Sequence, residues 1–588
     1  MAETIVSPGV LAIENDQSFI TQAPVQAGAA IIGPTVKGKV GIPTLVTTYS
    51  EYQNKFGTTF LSGSQTYTYL TSISAFNYFN SGGTSLLVTR VVSGSTTTAW
   101  TPATSSFISA SAHSAGAPYN TDVFVLETIA EGNIMNSVGP TGSNGTLLSG
   151  SANNFRWQIV SPDTNSGTFT VLIRQGNDTA LSPSILETWG PVSLDPFASN
   201  YIERVIGNQV EVVTNDPSTG EYYVQLSGSY PNQSAYVRVK QVNQTTPNYF
   251  DNNGVPKNQF TGSLPLAASG SFGDGKGNNI PSAGAAAYYE NISNSNIQGI
   301  SASAYTESIA LLANKDAYNY NFITAPGLIG DPTQFPLHYS VVQQLVTMVQ
   351  NRTDAMAIVD VVGYNSNIIP VTTAAGAWDT SYAAAYWPWL KTIDPNTGQQ
   401  VWTPASTMVP GVYAFNDNVA YPWFAPAGIN RGLMTTVTQT ERILTQTNRD
   451  LLYQNNVNPI ATFPGSGITV FGQKTLQKKK SALDRVNVRR LLIELKNYIS
   501  QIADTFVFEQ NDAVTRNNFV AAVNPYLASV QQQQGLTAFR VVMDESNNPP
   551  SVVDQNQLIG QIYLQPTRTA EFIILDFNIL PTGATFPA

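Results

Sequence analysis

Cysteine is absent from the 588 residues, and histidine occurs only at His113 and His338. No disulfide, thiolate metal site or thiol nucleophile is available, and zinc sites of the usual kinds are excluded. Charge is scarce too. Asp, Glu, Lys and Arg make up 11% of the chain, against roughly 25% in an average soluble protein. The net charge is −10, which argues against nucleic acid as the main partner. There is no run of about 18 apolar residues, so no membrane-spanning helix or membrane insertion is expected. The start, MAETIVSPGVLAIEND, carries neither a basic nor an apolar export segment, so Sec-dependent export is not expected.

What is present is enough apolar material for several cores: 42% of residues are hydrophobic. Ser, Thr, Asn and Gln occupy the place of surface charge, and such a surface suits a protein packed against copies of itself. Residues 1–20 read as an extended arm, in which the β-formers Ile5, Val6, Val10, Leu11 and Ile13 are broken by Ser7-Pro8-Gly9. An α/β texture follows: a short strand in GAAIIGPT (28–35), a strand and helix in PTLVTTYSEYQNKFG (43–57) with Ser50 as the candidate N-cap, a helix carrying Tyr69, Ile73, Phe76 and Phe79, and the strand SLLVTRVV (85–92).

From Ser93 to about Gly277 charges thin out, and short β-like runs alternate with Gly, Asn, Ser and Pro turns. This is the texture of a β-rich insertion. Within it, 106–118 is a low-complexity Ser/Ala/Gly stretch. Near Tyr305 the α/β rhythm returns. NFITAPGLIG, then a helix with Leu337, Val341, Leu345 and Val349 on one face, then AMAIVDVVG, read as a strand–helix–strand crossover. The strongest helical stripe is Val488, Leu491, Leu492, Leu495, Tyr498, Ile499, Ile502 and Phe506. A second helix covers about 512–530, and the end reads as strand in FRVVMDE, LIGQIYLQP and AEFIILDFNIL. The expected fold class is a multidomain mixture of α+β and α/β units.

Catalytic constellations are weak. The segment 270–277, GSFGDGKG, falls one residue short of a phosphate loop. It lacks the hydroxyl that would hold magnesium, and Pro281 sits where the helix should begin. Asp360 ends an apolar run in the manner of a magnesium-binding acid strand, but a flexible glycine-rich loop is the better reading of 270–277. Neither histidine has a Gly-x-Ser-x-Gly partner for a triad. Carboxylate pairs for glycoside hydrolysis lack an acid-rich aromatic groove motif, and Tyr386-Trp387-Pro388-Trp389 reads as core packing rather than a sugar platform. No catalytic, cofactor or metal residue is assigned, and no enzyme is expected.

One segment is basic. Lys474, Lys478, Lys479, Lys480, Arg485, Arg489, Arg490, Lys496 and Arg516 place 9 of the 28 basic residues in a short window that holds only five acids. Its plainer reading is a solvated loop and helix face, with Arg490 and Glu494 paired at i,i+4.

Several blocks, in order along the chain, resemble a known family. They are SPGV (7–10), IIGPTVKG (31–38), SLDPFASNYIERVIGN (193–208), AYWPWLKTIDPNTG (385–398), NPIATFPGSGITVFGQKT (458–475), DRVNVRRLLIELKNYI (484–499), FVFEQNDAVTR (506–516) and PTRTAEFIILDFNILPTGATF (566–586). Together they are similar to contractile phage tail sheath proteins, and the last block is similar to those of T-even-like myoviruses. Residues 101–185 carry no such likeness, and WDTSYAA at 378–384 departs from the pattern.

The resemblance implies a discontinuous core built from both chain ends. Its expected parts are a 1–20 arm, a core of 21–93 with 404–505, a middle domain of 94–100 with 186–403, a β-rich outer insertion at 101–185, and a C-terminal inner domain at 506–588 ending in a strand arm. It also implies a non-enzymatic, homo-oligomeric subunit in helically stacked, hexameric rings around a tail tube, with baseplate and tail terminator proteins as further partners. Such a subunit resides in the virion tail after assembly in the host cytoplasm, and contraction drives the tube through the host envelope.

On that basis Lys478, Lys479, Lys480, Arg485, Arg489, Arg490 and Lys496 are expected to face the tube. The arms Ile5, Val6, Val10, Leu11, Ile13 and Ile573, Ile574, Leu575, Phe577, Ile579 are expected to pair with neighbouring copies. The sheath of a headless injection particle and a glycan-binding β-rich adhesin remain open alternatives.

Overall fold

The computed structural model describes residues 25–62, 65–92, 104–106, 123–130, 146–147, 150–272 and 289–571. The N-terminal arm residues, His113, residues 273–277 of the glycine-rich segment and the strand at 573–579 lie outside the described residues.

The body is an eight-stranded sheet in the order Thr44–Val46, Leu86–Arg90, Val25–Gly33, Tyr318–Ile329, Met356–Asp360, Ala383–Trp387, Val457–Phe463, Gly467–Val470. The six central strands pair in parallel, and the two outermost are antiparallel to their neighbours. A parallel sheet needs both faces covered, and the sequence supplies two apolar faces by simple alternation. Ala30, Ile32, Leu87, Ile323, Ala357, Val359 and Ala385 enter one core. Ala29, Ile31, Leu86, Val88, Phe322, Ile358, Ala384 and Tyr386 enter the other. The first core is closed by the helix Pro336–Arg352 through Val341, Val342, Leu345 and Val349, and the second by the helices Leu70–Asn80 and Ala405–Val419.

The expected crossover from Tyr318–Ile329 through that helix to Met356–Asp360 is present and parallel. Leu337, expected on its buried face, is 55% exposed; in the first turn it is the adjacent His338 that turns inward. The Tyr49–Phe56 helix is capped by Thr48 rather than Ser50. The Thr48 hydroxyl accepts from Glu51 N at 3.1 Å, and Glu51 in turn accepts from Thr47 N at 2.8 Å.

Strands from 318–387, expected in a separate middle domain, therefore run between Val25–Gly33 and Val457–Phe463 in one sheet. The boundary expected at 185/186 falls at the start of the strand Ile185–Ser193, which pairs with Thr168–Gln175. The β-rich unit is continuous across that point. Thr168–Gln175 continues to Phe155–Asp163 and Ala268–Ser271, while Val237–Val242 pairs with Phe124–Thr128 and the latter with Thr104–Ser106. A shared core of Phe124, Trp157, Val171, Ile173, Val192 and Val239 joins the two sheets. That boundary comes from where the family likeness resumes, not from the charge-poor β-rich texture, which runs on to about Gly277.

After the sheet comes a C-terminal unit: the helix Val486–Asp504, the helix Ala513–Gln532 and a two-stranded sheet of Leu536–Val542 with Gln561–Pro566. Leu491, Leu495, Phe519, Val523, Leu527, Val530 and Leu536 form its core. Asp512 caps the second helix by accepting from Thr515 N at 2.8 Å. No helix among the described residues is long and apolar enough to cross a membrane.

Candidate assembly site in the C-terminal unit

The long helix faces two cores. Its first half inserts Val486 and Ile493 into the core under the main sheet, while Leu491 and Leu495 turn toward the C-terminal unit. This double burial decides the fate of the basic segment. Arg489 and Arg490 are each only 3% exposed, and they are removed from the expected surface patch because helical spacing turns them into the body.

Arg490 pairs with Asp417 and lies 4.6 Å from the Tyr413 ring centroid. Burial alone would lower its pKa, but the Asp417 charge more than offsets that and holds the guanidinium protonated. The expected Arg490–Glu494 pair is thus replaced by a long-range one. Arg489 stacks 3.9 Å above the Tyr382 ring and donates to the Ser381 hydroxyl. Lys474 is half-buried, its Nζ donating to Tyr453 O at 2.7 Å; burial lowers its pKa, with Arg485 adding to the effect. Arg516 is 9% exposed. Lys478, Lys479, Lys480 and Lys496 remain exposed.

Arg485 has a role that its place in a charge run does not reveal. It stands at the N-cap of the long helix, and its Nε and Nη2 donate to Glu571 Oε1 and Oε2 at 2.7 and 3.0 Å. Tyr453 Oη donates to Oε2 at 2.8 Å and Gln473 Nε2 to Oε1 at 3.1 Å. Burial works to raise the Glu571 pKa, but these donors, Arg485 foremost, outweigh it and hold the carboxyl below its ordinary range. Two residues earlier, Thr569 Oγ1 accepts from Asn487 Nδ2 at 3.1 Å. This clamp ties the segment after Gln561–Pro566 back to the start of the long helix. Sequence reasoning missed Glu571, Tyr453, Gln473 and Asp417, which meet Arg485 and Arg490 only through long-range folding.

The two-stranded sheet beside the clamp has an open side. Neither Leu536–Val542 nor Gln561–Pro566 pairs with a further strand among the described residues. Ile562 and Leu564 face the C-terminal core, while Tyr563 is 57% exposed.

The tempting enzyme elements do not converge. Gly270 and Ser271 lie in a strand paired with Trp157 and Arg156, not in a strand-to-helix loop. Asp360 is buried, and its carboxylate accepts from Ser406 N at 3.0 Å and from the Ser406 hydroxyl. Both oxygens are thereby committed to the first turn of the helix Ala405–Val419. His338 is fully buried in the first turn of its helix. Trp387 and Trp389 are among the most buried side chains, as core packing predicts.

Residues 298–476 match the phage tail sheath protein central domain, and 478–580 match the phage tail sheath C-terminal domain. Over 298–580 the chain is similar to phage tail sheath proteins. It is 36% identical over 244 residues to the tail sheath protein of Vibrio phage KVP40, an alignment covering 41% of this chain and 36% of that protein. It is 35% identical over 227 residues to the tail sheath protein of Enterobacteria phage T4, covering 37% and 34% respectively. The chain thus matches about a third of the length of these curated relatives. Among solved structures, a sheath tail protein from Listeria innocua aligns over 92% of this chain and 96% of its own, with a TM-score of 0.49 and 12% identity. The contracted helical sheath of the anti-feeding prophage aligns over 98% and 99%, with a TM-score of 0.45 and 14% identity. The clamp and the open two-stranded sheet both fall within the two matched sheath domains.

Proposed function

We propose that this chain is the subunit of a contractile tail sheath, polymerising as helically stacked rings around a tail tube. The observation that carries the reading is the two-stranded sheet Leu536–Val542 with Gln561–Pro566, in a chain with both sheath domains. A sheet of two strands is marginal by itself and offers its free edges to further strands. The chain has β-forming segments at 5–13 and 573–579 to supply them to neighbouring copies. Each main-chain bond contributes only about 0.5–1.5 kcal/mol net. Repetition along a strand, and again along a helical lattice, makes the mesh strong.

Such links also explain contraction in physical terms. Two packings of the same folded bodies, separated by a kinetic barrier, store energy during assembly. Exchanged strands hold neighbours together while the bodies rotate. Contraction then drives the tube through the host envelope without a nucleotide.

The domain division that fits this reading has a central body from residues 25–92 with 289–485, a β-rich projection at 104–272, and an inner unit from 486 onward. Lys478, Lys479, Lys480 and Lys496 are the exposed cations available to a tube. Partners are further copies, the tube, the baseplate and the tail terminator, and the site of action is the virion tail. Negative-stain microscopy of the purified full chain is the test. Long striated tubes are expected, and persistent monomers at high concentration would sink the reading.

A further inference from the structure

The two ends of the Val486–Asp504 helix carry features that fit each other but cannot meet within one copy. Beyond its C-terminus the chain turns sharply. Phe506 packs inward, edge-on to Phe519 with ring centroids 5.6 Å apart. This throws Val507 and Phe508 outward at 58% and 101% exposure, with Phe508 at a φ of 70°. A bulky residue in the left-handed region is strained, and here the strain serves to hold an aromatic ring in water. Asp504 and Glu509 flank the ring, and neither forms an ion pair within the described chain.

At the other end, beside the clamp, lies a cleft of about 370 Å³. Its walls include Ala427, Tyr453, Pro459 and Phe471, and its rim carries Arg431 and Arg449. Phe471 is 45% exposed there. Arg449 lies 5.3 Å from Phe463 and 5.9 Å from Phe471 and donates to Leu444 O at 3.0 Å and to Gln446 Oε1, while Arg431 lies 5.2 Å from Phe424 and donates through Nε to Ala425 O at 3.2 Å. Neither guanidinium has a carboxylate partner among the described residues. The rim also holds Asp450, which accepts from Gln446 Nε2 at 2.9 Å.

We infer that the Val507–Phe508 turn of one copy seats in this cleft of the next. The Phe508 ring fills the apolar walls, and Asp504 and Glu509 meet Arg449 and Arg431. A helix of 19 residues separates knob from hole by about 28 Å, so a copy cannot satisfy itself. A head-to-tail contact of this kind propagates into an open filament. The inference rests on the sheath reading for the identity of the partner, a second copy, but it concerns side chains rather than exchanged strands.

The absence of cysteine makes a cross-link the cleanest test. Chains carrying Phe508→Cys and Ala570→Cys, the latter at an exposed position lining the cleft, are mixed under mild oxidation. Disulfides form only when Cα atoms come within about 7 Å. The mixed dimer is expected to exceed either single-variant homodimer, in soluble protein and in pelleted polymer alike. Absence of the mixed dimer from both overturns the inference. So does a cross-link that forms only after truncation at Glu571, because the chain's own tail would then occupy the cleft. Phe508→Ser should weaken self-association by about tenfold or more while leaving Tm unchanged, since the ring buries nothing in the isolated chain. Striated tubes without the cross-link would end this contact and leave the sheath reading standing. A cross-linked species that never forms tubes would do the reverse.

Discussion

Arg485 and Glu571 form a two-point ion pair, 2.7 and 3.0 Å, between the cap of the long helix and the last described residue of the chain. The two side chains are 25% and 17% exposed. A planar guanidinium fork matches both carboxylate oxygens, and a lysine ammonium does not. Arg485→Lys and Glu571→Gln should each cost only about 1 kcal/mol or less of global stability, because the pair is partly screened by solvent. Their larger effect should be local, with faster amide exchange at Val486 and Thr567, whose amides donate to Gln473 O and Gly535 O on either side of the pair. Unchanged protection at those amides would rule out the clamp. The pH dependence has a definite sign. Glu571 is held below its ordinary 4.5, so its contribution is present above that value and is lost as pH falls through the folded pKa.

The basic segment separates into two classes with different expected phenotypes. Replacing Lys478, Lys479 and Lys480 by Glu should leave Tm within the small range of surface changes, about 0.5 kcal/mol. It should nevertheless impair assembly around tubes, most strongly at low salt, where exposed charges act over a longer range. Normal assembly at low salt would remove these lysines from the tube interface. Arg490→Ala should behave in the opposite way. It leaves Asp417 without its partner and empties the space against Tyr413, at a cost of about 3 kcal/mol. Thermal unfolding distinguishes the two classes directly.

How much of this was legible in the sequence follows from what each feature depends on. Helices and strands whose burial obeys a simple period were readable, as in the Val341, Leu345, Val349 face and the stripe through Leu491 and Leu495. The ordered blocks that signal the family were readable for the same local reason. Sheet membership was not, because parallel pairing between Val25–Gly33 and Tyr318–Ile329 joins segments nearly three hundred residues apart. The family likeness, which is absent from 101–185, suggested a domain boundary where hydrogen bonding draws none. The basic run misled in a further way. Composition counts charges, but helical geometry decides which ones reach water, so Arg489 and Arg490 were counted as surface and are core. Glu571 was invisible as a partner because nothing local distinguishes it from any other acidic residue near a strand.

Asp360 and His338 are buried titratable groups with opposite linkage. Burial pushes the Asp360 carboxyl up to about 6, although the two Ser406 hydrogen bonds work against the shift. Its folded pKa is raised, so its contribution is fully present below the ordinary 3.8 and is lost as pH rises through about 6. Asp360→Asn keeps an acceptor for Ser406 N and removes the charge. Relative to that variant, the parent should lose up to about 3 kcal/mol between pH 4 and 7. Burial lowers the His338 imidazole to about 4. Its contribution is therefore present above 6.5 and declines as pH falls toward 4. Chemical denaturation at about pH 4, 5.5 and 7 measures both. Identical pH slopes for parent and Asp360→Asn would refute the assignment.

The terminal segments supply the most severe test of the sheath proposal. The β-rich motif at 5–13 precedes the first described strand, Val25–Gly33, whose two neighbours, Leu86–Arg90 and Tyr318–Ile329, already occupy both of its edges. Both edges of that strand are thus taken without residues 1–20, and on the exchange reading their removal should leave far-UV circular dichroism and Tm unchanged. The two-stranded sheet at 536–566 has edges to offer but loses nothing in the isolated chain when no strand arrives. Deletion of 1–20 should therefore yield a folded monomer that does not form tubes, and added full-length chain should not incorporate it. Should the shortened chain still polymerise into striated tubes, strand exchange by the N-terminal arm is wrong. If it instead unfolds, the arm completes its own body and cannot link copies at all. Only a stable monomer that fails to assemble separates linkage from folding, because the loss then lies between subunits rather than within one.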